Sequence, residues 1–181
     1  MSSAPSFVTP LRYPGGKARL GAWLAQVIRA NGLEGGNYVE PYAGGAGAAV
    51  YLLVNGLVND IYINDADPAI YAFWWALTND TEQLISLIRE KTVTMETWEE
   101  QREILSESDM QNKTALGFSA FFLNRTNRSG IIKGGVIGGK KQSGKYKIDA
   151  RYNKETLTNR IQVLAKHSDR IHVSNLDAWI L

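Results

Sequence analysis

The segment Tyr38-Val39-Glu40-Pro41-Tyr42-Ala43-Gly44-Gly45-Ala46-Gly47 constrains the fold more than any other stretch. A short apolar run enters a glycine cluster, and helical character resumes at Ala48. Glycines after a strand let the backbone pass close to a ligand and open a helix whose N-terminal amides face it. A G-x-G-x-x-G register fails at its third glycine, where Val50 stands. The loop alone therefore fits a tight strand-to-helix turn as well as it fits a ligand site.

Two carboxylates shift that balance. Glu40 closes the first strand, and Asp65 closes the next one, Asp60 to Asn64, which alternates like a strand. A carboxylate at Asp65 reaches ribose hydroxyls, as in dinucleotide folds. Glu40 suits an ammonium group and repels a pyrophosphate, which favours S-adenosylmethionine over NAD. Asp67, just before Pro68, is better explained as a helix cap. The order strand, glycine loop, helix, strand, acid is the first half of a nucleotide-binding α/β unit.

Apolar spacing predicts helices over 18–31, 48–54 and 68–78, then three more over 81–91, 94–107 and 111–123. That long run without a strand predicts an inserted helical subdomain. Residues 125–152, rich in Gly, Lys and Arg, read as a hairpin or ordered loop, followed by a helix over 153–167 and a strand over 170–174. The expected division is 1–79 for cofactor binding, 80–152 for target recognition and 153–181 for a return to the α/β core. So few strands leave a doubly wound sheet incomplete, with an edge open to self-association.

The chain has no cysteine, which excludes disulfide frameworks and zinc-thiolate sites and fits a cytoplasmic setting. No stretch reaches membrane-span length, and Met1 to Pro10 lacks the pattern of a signal peptide. The net charge of +2 conceals an asymmetry. Asn59 to Asp109 carries 12 acids and 3 bases, whereas Arg125 to Lys154 carries 9 bases and one acid, Asp149. Such a basic stretch points to a polyanion, although a solvated loop explains it equally well. Gly139 to Lys145 satisfies G-x-x-x-x-G-K, but Tyr146 follows where a phosphate-binding loop needs Ser or Thr, and no convincing strand precedes it.

Five segments, in order, resemble the Dam-type DNA adenine methyltransferases. Glu40-Pro41-Tyr42-Ala43-Gly44-Gly45-Ala46-Gly47 is similar to their cofactor loop, and Leu11-Arg12-Tyr13-Pro14-Gly15-Gly16-Lys17 to their N-terminal motif. Asn64-Asp65-Ala66-Asp67 resembles the ribose-binding motif. Phe121-Phe122-Leu123-Asn124-Arg125 resembles the start of the DNA-recognition segment, and His172 to Asp177 the third motif, beside the cofactor's adenine. The resemblance implies a Rossmann-like S-adenosylmethionine-dependent methyltransferase core acting on double-stranded DNA without metal, in a bacterial or phage setting. It places Tyr13, Lys17, Glu40, Pro41, Tyr42, Gly45, Gly47, Asp65 and Asp177 at S-adenosylmethionine. It places Arg12, Asn124, Arg125, Arg128, Ser129 and Lys133 at DNA.

The chain departs from the family at the recognition loop. Arg128 stands where an aromatic wedge is usual, Ser129 where an asparagine is, and Lys133 where an arginine reads guanine. Serine reaches less far, and lysine cannot make arginine's forked contact. The family's catalytic D-P-P-Y does not occur; the one Asp-Pro pair is Asp67-Pro68, followed by Ala69. No catalytic residue is assigned, and the chain by itself is expected not to methylate DNA. Two alternatives stand beside the enzyme: a non-catalytic S-adenosylmethionine- or DNA-binding module, and a nucleotide enzyme using the glycine loop for NAD or ATP.

Overall fold

The computed structural model describes residues 9–180. The reading of the N-terminus as lacking a leader rests mainly on residues 1–8, which lie outside the described residues. A 3-10 turn at Lys17–Leu20 leads into α1 (Gly21–Ala30), then β1 (Gly36–Glu40), α2 (Gly47–Val54) and β2 (Val58–Asn64). Five helices follow: α3 (Pro68–Asn79), α4 (Thr81–Glu90), α5 (Met95–Glu107), α6 (Lys113–Thr126) and α7 (Lys154–Ala165). The described chain closes on β3 (Ile171–Ser174). None of these helices is long and apolar enough to cross a membrane.

The three strands form a parallel sheet in the order β1-β2-β3. Register aligns Tyr38 with Ile61 and Ile171, and Glu40 with Ile63 and Val173. Ile61 and Ile63 are fully buried beneath the helices. The alternate row, Val39, Tyr62 and His172, is exposed. There Tyr62 stacks on His172 at 4.4 Å, and His172 Nε2 lies 2.8 Å from Asp60 Oδ1. One face of the sheet is thus core and the other open among the described residues, unlike the doubly covered sheets typical of parallel folds.

The helices expected as an inserted subdomain share the sheet's core. Phe73 of α3 stacks on Phe121 of α6 at 5.7 Å, and Tyr152 packs across Phe121 and Phe122. Gly117 permits this crossing: a Cβ there would fall 2.5 Å from Ala72 O. One apolar cluster runs from Val50 through Phe73 and Phe121 to Ile161. Helix starts follow local chemistry. The Asp67 side chain accepts from Ala69 N ahead of Pro68, Thr94 caps α5, Asn112 caps α6 and Asn153 caps α7.

Candidate functional site: a glycine loop facing a basic loop

The loop after β1 is held from several sides. Ala43 N donates to Asn64 O at 2.8 Å, and Gly44 N donates to Asp65 Oδ2 at 2.8 Å. Asp65 Oδ1 accepts from Asp67 N, so this carboxylate ties the loop to the end of β2. The buried indole of Trp74 donates to Gly44 O at 2.9 Å. Asn64 links all three strand ends: Nδ2 donates to Pro41 O and Leu176 O, while Oδ1 accepts from Ser174 Oγ and Leu176 N. Gly47 opens α2 so close to Ala18 that a Cβ would lie 2.7 Å from Ala18 Cβ.

The N-terminal motif folds over this loop. Tyr13-Pro14-Gly15-Gly16 makes a turn closed by Gly16 N donating to Tyr13 O at 3.0 Å, with Pro14 second and Gly15 third at φ 70°. The turn lays the half-exposed Tyr13 ring against Gly44, where a Cβ would meet ring carbons at 2.9 Å. Burial, and then the nearby charges of Asp65 and Asp67, raise the Tyr13 hydroxyl above its ordinary pKa. Lys17 Nζ pairs with buried Glu40 Oε1 at 2.8 Å and donates to Tyr42 O, and Glu40 Oε2 accepts from Ala49 N in α2. Pro41 is half-buried, and Tyr42 is exposed beside it. Gly45 lies beneath Tyr13 Cβ. Asp177 is exposed just past β3, following Asn175, whose side chain donates to Asp65 O. Tyr13, Lys17, Glu40, Gly45, Gly47, Asp65 and Asp177 thus gather at the C-terminal end of the sheet, where α/β folds bind ligands.

The basic segment is an ordered loop. Asn127 bridges to Val136 in antiparallel fashion, and Arg128 N donates to Gly135 O. The buried side chain of Asn127 accepts from Trp98 Nε1 at 2.7 Å and donates to Ile131 O and Ile132 O. Arg128, Ser129, Ile131 and Lys133 are exposed at the tip. Ser129 adopts φ 58°, a left-handed conformation unusual for serine. Further on, the Gln142 side chain bonds Ile137 O, Gly139 O and Ile148 N. No strand directly precedes this stretch and no helix directly follows it, so the phosphate-loop alternative lacks its framework.

Two residues that the resemblance places at DNA are buried in the structure. Asn124 is fully buried: Oδ1 accepts from Arg12 N, and Nδ2 donates to Arg12 O and Gly130 O. It fastens the N-terminal segment to the recognition loop. Arg125 is 5 % exposed and donates from Nε and Nη2 to Pro10 O. Both sit in the last turn of α6, whose residues are buried; the Asn124 amide serves the chain's own backbone, and Arg125 gives Nε and Nη2 to Pro10 O while still lining a pocket beside α7. Arg12 is half-buried; Arg128, Ser129 and Lys133 remain open to a partner. Among the described residues, none of the bases from Arg125 to Lys154 pairs with an acid. A 220 Å³ cavity separates the two loops, lined by Tyr13, Asp67, Gly130, Ile131 and Lys133 among others.

A family model for D12 class N6 adenine-specific DNA methyltransferases matches residues 13–181. The chain belongs to this family. No curated protein matches it.

For a D12-class DNA adenine methyltransferase, several supports of the site were not legible locally. Asn64 appears in the sequence as the residue before an acidic motif, yet its amide joins three strand ends. Trp74 reads as one more apolar residue on a helix, and its indole holds Gly44 from thirty positions away. Asn127 reads as a polar residue in a basic loop, and it is the loop's internal scaffold. Only Asn64 carried a signal, its place at the end of an alternating strand.

Proposed function

We propose that this chain forms the S-adenosylmethionine-binding and DNA-contacting part of a site-specific adenine-N6 methyltransferase. The observation that carries the reading is the Lys17–Glu40 pair beside the glycine loop. An amino acid end presents one carboxylate and one ammonium. Lys17 offers the cation for the first and Glu40 the anion for the second, so each exchanges its internal partner for a ligand group. A pyrophosphate would face Glu40 unfavourably, which disfavours NAD and ATP.

The donor set fits the rest of such a cofactor. Asp65 keeps lone pairs for ribose hydroxyls after accepting from Gly44 N and Asp67 N. The Tyr13 face suits a sulfonium cation. When bound, S-adenosylmethionine supplies an electrophilic methyl group. The chain's own part is to hold the amino acid end through Lys17 and Glu40, fix the ribose through Asp65, and exclude water beneath Tyr13. The cavity between Tyr13 and Ile131 suits a flat base turned out of a duplex. Arg128, Ser129 and Lys133 face the DNA.

Transfer to N6 also needs an acceptor for the amino protons and a clamp on the base. No D-P-P-Y occurs in the 181 residues, so these residues bind and position without completing the transfer. The test is calorimetric titration with S-adenosylhomocysteine, NAD and ATP, beside a tritiated-methyl assay on unmethylated DNA. Binding of S-adenosylhomocysteine alone, without turnover, is expected. Preferential binding of NAD or ATP would overturn the cofactor reading, and robust turnover would overturn the assignment of the missing acceptor.

A further inference from the structure

Away from the cofactor cleft, the last turn of α6, the 149–153 turn and one face of α7 enclose a pocket of about 390 Å³. Arg125, Arg151 and Arg160 line it, with Asp149 as the one acid. Arg125 is buried there with no carboxylate partner among the described residues. Burial, and then the charges of Arg160 and Arg12, pull its pKa down to about 9. Tyr152 also lines the pocket, and its buried hydroxyl has no hydrogen-bond partner among the described residues. Arg12 Nη1 is buried and unpartnered in the same way. Buried donors without acceptors are rare and costly, and here they cluster where cations crowd one another. What this cluster lacks is an anion with several acceptor oxygens.

A second pocket of about 270 Å³ adjoins the first and shares Ala150 and Arg151 with it. Arg12, Arg128 and Ser129 line it, so the guanidinium groups form one strip from α7 to the tip of the recognition loop. The first pocket offers no exposed aromatic face for a base: Tyr152 is buried against Phe121 and Phe122. It suits a phosphate and not a whole nucleotide. We propose that the Arg125–Tyr152–Arg160 pocket receives one backbone phosphate of the DNA duplex, and that Arg151 passes the strand on to Arg12 and Arg128. The ligand's being DNA rests on the methyltransferase reading. The pocket's preference for a phosphate rests on the residues alone.

The experiment uses the full 181-residue chain and a short duplex carrying single neutral methylphosphonate linkages, walked along each strand, with binding read by fluorescence anisotropy. One position should weaken wild-type binding by roughly five- to tenfold, as expected of a lost charge-assisted contact. Arg160→Gln should weaken binding to the unmodified duplex by a similar factor and be indifferent to that linkage. It should also reduce the slope of log K against log salt by about 0.9. Tyr152→Phe, which removes only an unpartnered hydroxyl, should lower affinity about threefold with no loss of melting temperature. Arg151→Gln, on an exposed side chain, serves if Arg160→Gln does not fold. S-adenosylhomocysteine affinity should not change in any of them.

Unchanged slopes and an unchanged linkage profile in the folded variants would overturn the pocket as a DNA contact and leave the methyltransferase reading intact. Inorganic phosphate titrated by calorimetry separates the sources. Micromolar binding lost in Arg160→Gln, with duplex binding unaffected, would make this a site for free phosphate and overturn the proposal. Absence of any salt-dependent duplex binding by the wild type would overturn the proposal and the DNA reading together.

Discussion

Lys17 Nζ stands 2.8 Å from Glu40 Oε1, a cation 42 % exposed paired with a carboxylate 2 % exposed. The second oxygen of Glu40 accepts from Ala49 N, so the buried charge has one external and one internal partner. Lys17→Met leaves Glu40 charged with a single partner. The expected cost is roughly 1–3 kcal/mol, read from the urea midpoint. Both Lys17→Met and Glu40→Gln should weaken S-adenosylhomocysteine binding about tenfold. Wild-type affinity in both folded variants would place the amino acid end elsewhere.

Asp65 does two jobs with one carboxylate, accepting from Gly44 N and Asp67 N while facing the cleft. Asp65→Asn can keep only one of those bonds, because its amide nitrogen donates. Affinity for S-adenosylhomocysteine should fall by tenfold or more, the equivalent of ~1.5–3 kcal/mol for a charged acceptor. Circular dichroism should remain native-like. Calorimetry on the folded variant decides the point.

Gly117 lets α6 approach α3. Gly117→Ala gains roughly 1 kcal/mol of helix propensity but drives a methyl into backbone 2.5 Å away. The steric cost of about 1–3 kcal/mol should win, because Ala72 O is backbone and cannot rotate aside. Equilibrium urea unfolding should show a lower midpoint at unchanged slope. A higher midpoint would mean that the helices separate freely.

Alkaline pH should loosen the fold through its tyrosines. Burial, with Glu40 nearby, raises Tyr38 from 10.0 to about 12, and burial also raises Tyr152. The folded chain keeps these protons at a pH where the unfolded chain has lost them. Their contribution is therefore full below pH 10 and, for Tyr38, lost as pH rises through about 12. Arg125, lowered to about 9, acts in the opposite sense, since unfolding there takes up a proton. Tyr38→Phe should move the alkaline unfolding midpoint upward, followed by fluorescence alongside phenolate absorbance. A midpoint that stays in place would show that Tyr38 titrates freely.

Exposed apolar residues near the β1 edge of the sheet should make the chain associate. Trp23, Leu33 and Val39 are 58 %, 60 % and 53 % exposed on α1, the following turn and edge strand β1. Sedimentation velocity should show concentration-dependent species at tens of micromolar. Val39→Lys, which places a charge on the edge, should shift them toward monomer. A monomer at every concentration in the wild type would sink this expectation.

Local patterns determined the order of elements, because helical and strand periodicity and the Asp67 and Asn112 caps act within a few residues of themselves. The helix predicted over 18–31 begins as a 3-10 turn at Lys17–Leu20, where Ala18 lies close against Gly47. The gathering of Tyr13, Lys17, Glu40 and Asp65 was legible because strand-to-helix turns bring the ends of successive parallel strands together. What the sequence could not determine was which polar side chains face outward. Asn124 and Arg125 lie in a motif suited to DNA, yet α6 packs on α3 and α5 so fully that its last turn is interior. The Asn124 amide is taken up by Arg12 and Gly130, and Arg125 gives two of its nitrogens to Pro10 O. In the same way Arg160, an unremarked residue of a late helix, comes to lie beside Arg125 only because α7 folds back across the 149–153 turn. Periodicity and capping are written in neighbouring residues; burial and charge clustering are properties of the assembled core, and tertiary packing alone decided them.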